Sequence, residues 1–162
     1  MNIKKLAAVG LMVAGVLAVV SFRSMDADIG ADPELHVYKT PTCGCCGKWV
    51  DHMKEAGFKV RVEDVDVEEL WGGVKVRHGV PRELSTCHTT VVGDYVIEGH
   101  VPASVVKRFL EEAPEVKGIS VPGMPMGSPG MEGPNPQPYV VIAFDGEGNR
   151  TVYEEVDPRT SR

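Results

Sequence analysis

The sequence predicts a single α/β domain built on a mixed central sheet flanked by helices. Three observations carry that prediction. Segments of strand period and segments of helix period alternate as β-α-β-α-β-β-α between residues 34 and 113. That stretch is about 80 residues long, enough for one small core. A turn crowded with cysteines falls between the first strand and the first helix. A β-α-β start followed by a β-hairpin and a closing helix is the layout of a thioredoxin-like fold.

The N-terminus comes first and belongs to no fold. Lys4 and Lys5 open it, Leu6 to Phe22 follow without a charge, and Arg23 closes the run. As a helix, seventeen residues span about 25 Å, slightly short of a hydrocarbon core. Residues 1–31 therefore read as a signal peptide or signal-anchor with a polar tether. Such a leader places the remainder in the periplasm, attached to the membrane only if the leader is uncleaved. The whole chain carries a formal charge of −6, which argues against nucleic acid as a partner.

Glu34–Thr40 is the first strand, from its β-branched and aromatic run Leu35-His36-Val37-Tyr38. Pro41–Gly47 is the turn with the cysteines. Lys48–Ala56 has Trp49, Val50, Met53 and Ala56 at helical spacing, and Gly57 ends it. Phe58–Val65 alternates apolar and charged residues as a second strand. Val67–His78 is a weak helix that Gly72-Gly73 should break. Thr89–Val92 and Tyr95–Ile97 flank Gly93-Asp94, a strong hairpin signal. Pro102–Ala113 is a helix with Pro at its start and Val105, Val106, Phe109 and Leu110 on one face. The core unit is thus 34–115. The unit 116–157 adds a loop rich in Gly, Pro and Met, where regular structure is not expected, and a C-terminal β-hairpin from Tyr139–Phe144 and Thr151–Val156, packed on the same domain.

Cys43, Cys45 and Cys46 lie within four positions, and Cys87 follows far downstream. Cys43 and Cys46 form a C-x-x-C pair at a helix N-terminus, where exposed N–H groups favour a thiolate. They are the catalytic residues if the chain is a periplasmic thiol-disulfide oxidoreductase. Cys45 is surplus to dithiol chemistry. Three thiols on one tight loop suit a soft metal, copper(I) first and zinc as an alternative. Cys87 begins the third strand, at the edge where a thioredoxin-like fold usually sets a proline, and there it can supply a fourth sulfur. An exported chain with four cysteines also allows two structural disulfides, such as Cys43–Cys46 with Cys45–Cys87.

Histidines and methionines extend the candidate ligand set. His88 adjoins Cys87, and His100 precedes the last helix of the core. Met124, Met126 and Met131 sit on the Gly/Pro loop, where thioethers are either soft ligands or gap-fillers against the sheet. His52 lies about 10 Å along the helix from Cys45, too far to share an ion with the loop thiols. His36 and His78 read as structural, and Glu63-Asp64-Val65-Asp66 as a solvated strand end.

Four segments in order, Val37–Val50, Thr86–Thr89, Tyr95–Ala103 and Val121–Glu132, resemble the CopG-type periplasmic copper-resistance proteins. The resemblance spans Glu34 to Val156. It implies a thioredoxin-like fold and a cysteine-bridged cluster of several copper ions. Cys43, Cys45, Cys46 and Cys87 would then be the bridging thiolates, with His88, His100, Met124, Met126 and Met131 as candidate terminal ligands. It also implies cycling of copper between Cu(I) and Cu(II), in exchange with other periplasmic copper-handling proteins or an electron donor or acceptor. A non-catalytic copper chaperone or buffer is the other role compatible with such a site.

Overall fold

The computed structural model describes residues 33–160; the leader and most of its tether lie outside them. No helix among the described residues is long and apolar enough to cross a membrane.

Seven strands form one mixed sheet. The first four are β1 (Glu34–Lys39), β2 (Lys59–Asp64), β3 (His88–Val92) and β4 (Tyr95–Glu98). The last three are β5 (Gly118–Ser120), β6 (Tyr139–Phe144) and β7 (Arg150–Val156). Their spatial order is β2-β1-β3-β4-β5-β6-β7. The β1/β2 and β4/β5 pairs are parallel, and the other four are antiparallel. The helices are α1 (Gly44–Glu55), α2 (Lys75–Arg77) and α3 (Ala103–Glu112).

Burial follows the apolar periodicity. Leu35 and Val37 alternate inward on β1, and α1 buries Trp49, Val50 and Met53 on the face their spacing defines. Val105, Val106 and Phe109 of α3 enter the same cluster. Trp49 is fully buried, and its indole N–H donates to the Val101 carbonyl at 2.8 Å. The large aromatic surface is thus dry while its one polar atom remains satisfied.

Two expectations fail. Gly72-Gly73 does not break the helix before α2. The chain runs through the pair as a π-helical stretch, Glu69–Val74, and continues into α2. Asp66 holds its start by accepting the Glu69 N–H at 2.7 Å, while Leu70 and Val74 anchor its inner face. A Cβ at Gly73 would lie 2.4 Å from the Glu69 carboxylate, which Arg77 engages at 2.7 Å. Glycine here admits a packed helix instead of ending one. Asp66 and Asp64 are also more than solvated acids, since Asp64 pairs with Lys39 at 2.6 Å.

The second failure is β5, inside the segment expected to lack regular structure. Gly118 is needed there because a Cβ would sit 2.1 Å from the Val96 carbonyl oxygen. The three residues of β5 join the hairpin β6/β7 to the sheet edge at β4. The hairpin therefore extends the sheet, with a register irregularity between Val141 and Ile142.

Candidate metal centre

The site forms where the C-terminal end of β1, the N-terminus of α1 and the start of β3 converge. Cys43 is the N-cap of α1, with Cys45 and Cys46 in its first turn, so the helix begins earlier than the apolar spacing indicated. No acidic residue occupies that first turn. The helix end accordingly offers its positive pole to negative charge at the cysteines. Cys43 and Cys46 are joined as a disulfide, their Cα atoms 5.3 Å apart, while Cys45 and Cys87 are free. The Cys45–Cys87 bridge of the two-disulfide reading is not formed. Cys43 Sγ lies 3.6 Å from Cys45 Sγ. All four sulfurs lie within 4.8 Å of one another.

A second group shares one of these sulfurs. Cys87 Sγ is 3.5 Å from His88 Nδ1 and 3.0 Å from His100 Nε2. The three potential ligand atoms of Cys87, His88 and His100 lie within 4.8 Å of one another. Both imidazoles are fully buried, and burial holds both below the usual histidine pKa. They are therefore neutral, the form in which histidine binds a metal. His100 Nδ1–H donates to the Pro129 carbonyl at 2.7 Å, leaving the Nε2 lone pair to face the sulfur. His88 packs between Trp49, tilted at 46°, and His100, edge-on at 84°, with ring centroids 4.5 and 5.0 Å away. Its Nδ1 is the atom that faces Cys87 Sγ, while its Nε2 is buried with no hydrogen-bond partner among the described residues.

Cys87 itself is costly to ionise. Burial, reinforced by Cys45, pushes its thiol up to about 12. A cation that replaces the proton would remove that cost. With the Cys43–Cys46 disulfide reduced, the donor set of four sulfurs and two neutral imidazoles fits a soft ion such as Cu(I).

The methionines diverge. Met124 lines a cavity of about 330 Å³ together with Thr40, Cys43, Trp71, Thr86 and Cys87. Met126 folds over its own loop, since a Cβ at Gly133 would collide with its sulfur. Met131 is half-buried beside Gly130, and its backbone ties to Gly127 and Ser128. Gly130 presses the loop onto the cysteine turn. A Cβ there would meet the Cys45 carbonyl at 2.5 Å and His100 Nδ1 at 3.3 Å, and its φ is +84°. His52 points elsewhere, accepting the Ala103 N–H at 3.1 Å. His36 pairs with Glu63 at 3.0 Å and stacks on Tyr38, whose other neighbour is His78.

Sequence reasoning missed Glu98 and Lys75, which form a fully buried ion pair at 2.6 Å directly behind the Cys87 segment. The signal for Glu98 was the strand that it ends. Tyr95-Val96-Ile97 is apolar on both faces, so the next residue is buried too. Breaking such a pair by removing one partner costs about 3–5 kcal/mol.

A family model described as "Protein of unknown function, DUF411" matches residues 84–131, from the turn before β3 through the methionine loop. Two solved structures are also similar, the copper resistance protein copG in its form 1 and form 2. Each is 38% identical to this chain and covers 77% of it, and the match takes in 98% of each copG chain, with TM-scores of 0.70 and 0.69. No curated protein matches the chain.

Proposed function

The chain belongs to the family of the copG copper resistance proteins, and on that premise we propose that it binds several copper ions where Cys43, Cys45, Cys46 and Cys87 converge. His88 and His100 are further ligands in this reading, and Met124, Met126 and Met131 are candidate thioether donors. One observation carries it: Cys87 belongs to both ligand groups. Sulfurs this close serve separate ions poorly, but bridging thiolates can hold several Cu(I) ions and offset their charge.

The Cys43–Cys46 bond gives the site a redox partner of its own. Closing it releases two electrons and two protons, enough to reduce two Cu(II) to Cu(I). Reopening it requires an external thiol donor and restores two thiolate ligands. That is the basis for proposing copper cycling between Cu(I) and Cu(II). The strand order β2-β1-β3-β4, with α1 after β1 and α3 after β4, supports a thioredoxin-like core. The unit 116–157 then extends the same domain. The apolar leader and the copG relatives support an exported, periplasmic protein that exchanges copper or electrons with other proteins there.

The test is anaerobic loading of the reduced chain with Cu(I), followed by elemental analysis. More than one copper per chain is expected; one or fewer overturns the cluster. Uptake with no change of copper oxidation state under a reductant would make the chain a buffer or chaperone.

The disulfide at the start of α1 favours a second reading, a dithiol oxidoreductase. Cys45→Ser separates the two. It is expected to cripple copper loading while leaving Cys43 and Cys46 able to exchange with insulin disulfides. A variant that matches the wild type in both assays would defeat the metal reading.

A further inference from the structure

The buried Glu98 side chain reaches both flanks of the two-ligand segment Cys87-His88. Its Oε1 accepts the Thr86 backbone N–H at 2.6 Å and the Thr86 hydroxyl at 3.3 Å. Its Oε2 accepts the Thr89 hydroxyl at 2.7 Å. Lys75 completes the assembly, donating to Oε1 at 2.6 Å and to Thr89 Oγ1 at 2.9 Å, with the Trp71 ring 5.1 Å from its ammonium. The backbone adds its own tie, because Gly99 N–H donates to the His88 carbonyl at 3.1 Å. Gly99 has a φ of +72°, and a Cβ there would lie 2.4 Å from Thr86 Oγ1. The Glu98-Gly99-His100 segment can therefore close against Thr86–Thr89 only as it stands.

We propose that Glu98 and Lys75 are positioning residues that clamp the Thr86–Thr89 segment and so set where Cys87 and His88 meet the cysteine loop. The proposal rests on the copper reading above for its role, though not for its geometry. Any buried carboxylate must satisfy several acceptor sites, and what marks this one is where its donors lie. This one accepts from residues on either side of the two ligands, and its counter-ion bonds to one of those same residues. Lys75 reaches the site because the π-helical stretch carries the chain into α2 without a break. Residues that hold metal ligands in place typically matter by about ten- to a hundred-fold in metal affinity.

Glu98→Gln alone leaves Lys75 buried without its counter-ion and can fail to fold. The test therefore uses the full chain carrying both Glu98→Met and Lys75→Met, which is neutral, similar in shape and leaves no acceptor for Thr86 or Thr89, beside Val141→Ala as a destabilised control remote from the site. Two readouts are taken on reduced protein. The first is Cu(I) affinity by competition with a chromophoric chelator, with the sulfur-to-nitrogen ligand ratio from X-ray absorption. The second needs no copper: the alkylation rate of Cys87 by iodoacetamide, followed by mass spectrometry. The double variant is expected to bind Cu(I) about ten- to a hundred-fold more weakly, with a changed ligand ratio and faster alkylation of Cys87. Val141→Ala should match the wild type in all three. A folded double variant with wild-type affinity, ligand ratio and alkylation rate overturns the proposal. A wild-type chain that takes up no copper defeats the functional reading instead, and the alkylation rate alone then decides whether the clamp exists.

Discussion

The two walls of the candidate metal centre are made by opposite means. The cysteine loop is local: three cysteines within four residues, on the N-cap and first turn of one helix. Its geometry is fixed by α1 and its electrostatics by the helix end. The facing wall is tertiary. Cys87, His88 and His100 arrive from two strand ends and are aligned by Pro129, Gly99 and the Glu98–Lys75 pair. The loop holds a disulfide, whereas Cys87 keeps a free thiol beside two buried imidazoles. If the loop disulfide is the redox element proposed above, that division lets one wall change state while the other keeps position.

Removing the one atom common to both ligand groups should have the largest effect. Cys87→Ser keeps the shape of the wall but replaces a soft donor with a hard one. Copper uptake by the reduced chain should fall to one ion or fewer. The fold should survive, since the hydroxyl is smaller than the thiol and the segment stays tied through Thr86 and Thr89. Metal analysis with circular dichroism checks both parts. A full copper complement in the variant would mean that the loop holds the metal without the wall.

Gly130→Ala should act next in size, and on the join between the walls. The added methyl would meet the Cys45 carbonyl, a backbone atom that cannot swing aside, at a φ of +84°. Strain of this kind costs about 1–3 kcal/mol. The loop carrying Pro129 should lift, freeing His100 Nδ1. Urea denaturation of the reduced apo chain is expected to show the loss, and Cu(I) competition a weaker site. An unchanged midpoint and affinity would show that the loop does not brace the cysteine turn.

The same contrast explains how much was legible beforehand. The loop could be read in one dimension, because its cysteines share one short segment and its helix has an apolar stripe. Strands β1, β3, β4 and β6 were equally plain, since each alternates or runs apolar between turn residues. Pairing across long gaps was not plain. Nothing near Lys75 in sequence names Glu98, and the Gly72-Gly73 signal pointed towards a break. That signal was overridden by the anchoring of Leu70, Val74 and Lys75 on the inner side. Strand β5 was hidden because three residues beside a Gly/Pro loop carry too short a pattern, and its pairing supplies what its composition lacks. His100 could be suspected from its place before a helix, but its tautomer depends on a carbonyl 29 residues away.

The smallest effect should come from His52, and it isolates α1 from the metal. His52 sits on the same helix as Cys45, yet its Nε2 accepts the first N–H of α3 at 3.1 Å. That N–H is one of the unsatisfied donors every helix start presents, and Pro102 ahead of it offers no side-chain acceptor. His52 therefore serves as a cap supplied from a neighbouring helix. Burial keeps it below the usual histidine pKa, so at neutral pH its lone pair is available to accept. His52→Ala should lower stability by about 0.5–2 kcal/mol, the range for losing a cap, read as a shift in urea midpoint. His52→Gln, which retains an acceptor, should recover part of it. Copper stoichiometry and Cu(I) affinity should remain at wild-type values in both. A drop in affinity would place His52 among the ligands and remove the separation between the helix that carries the loop cysteines and the wall they face.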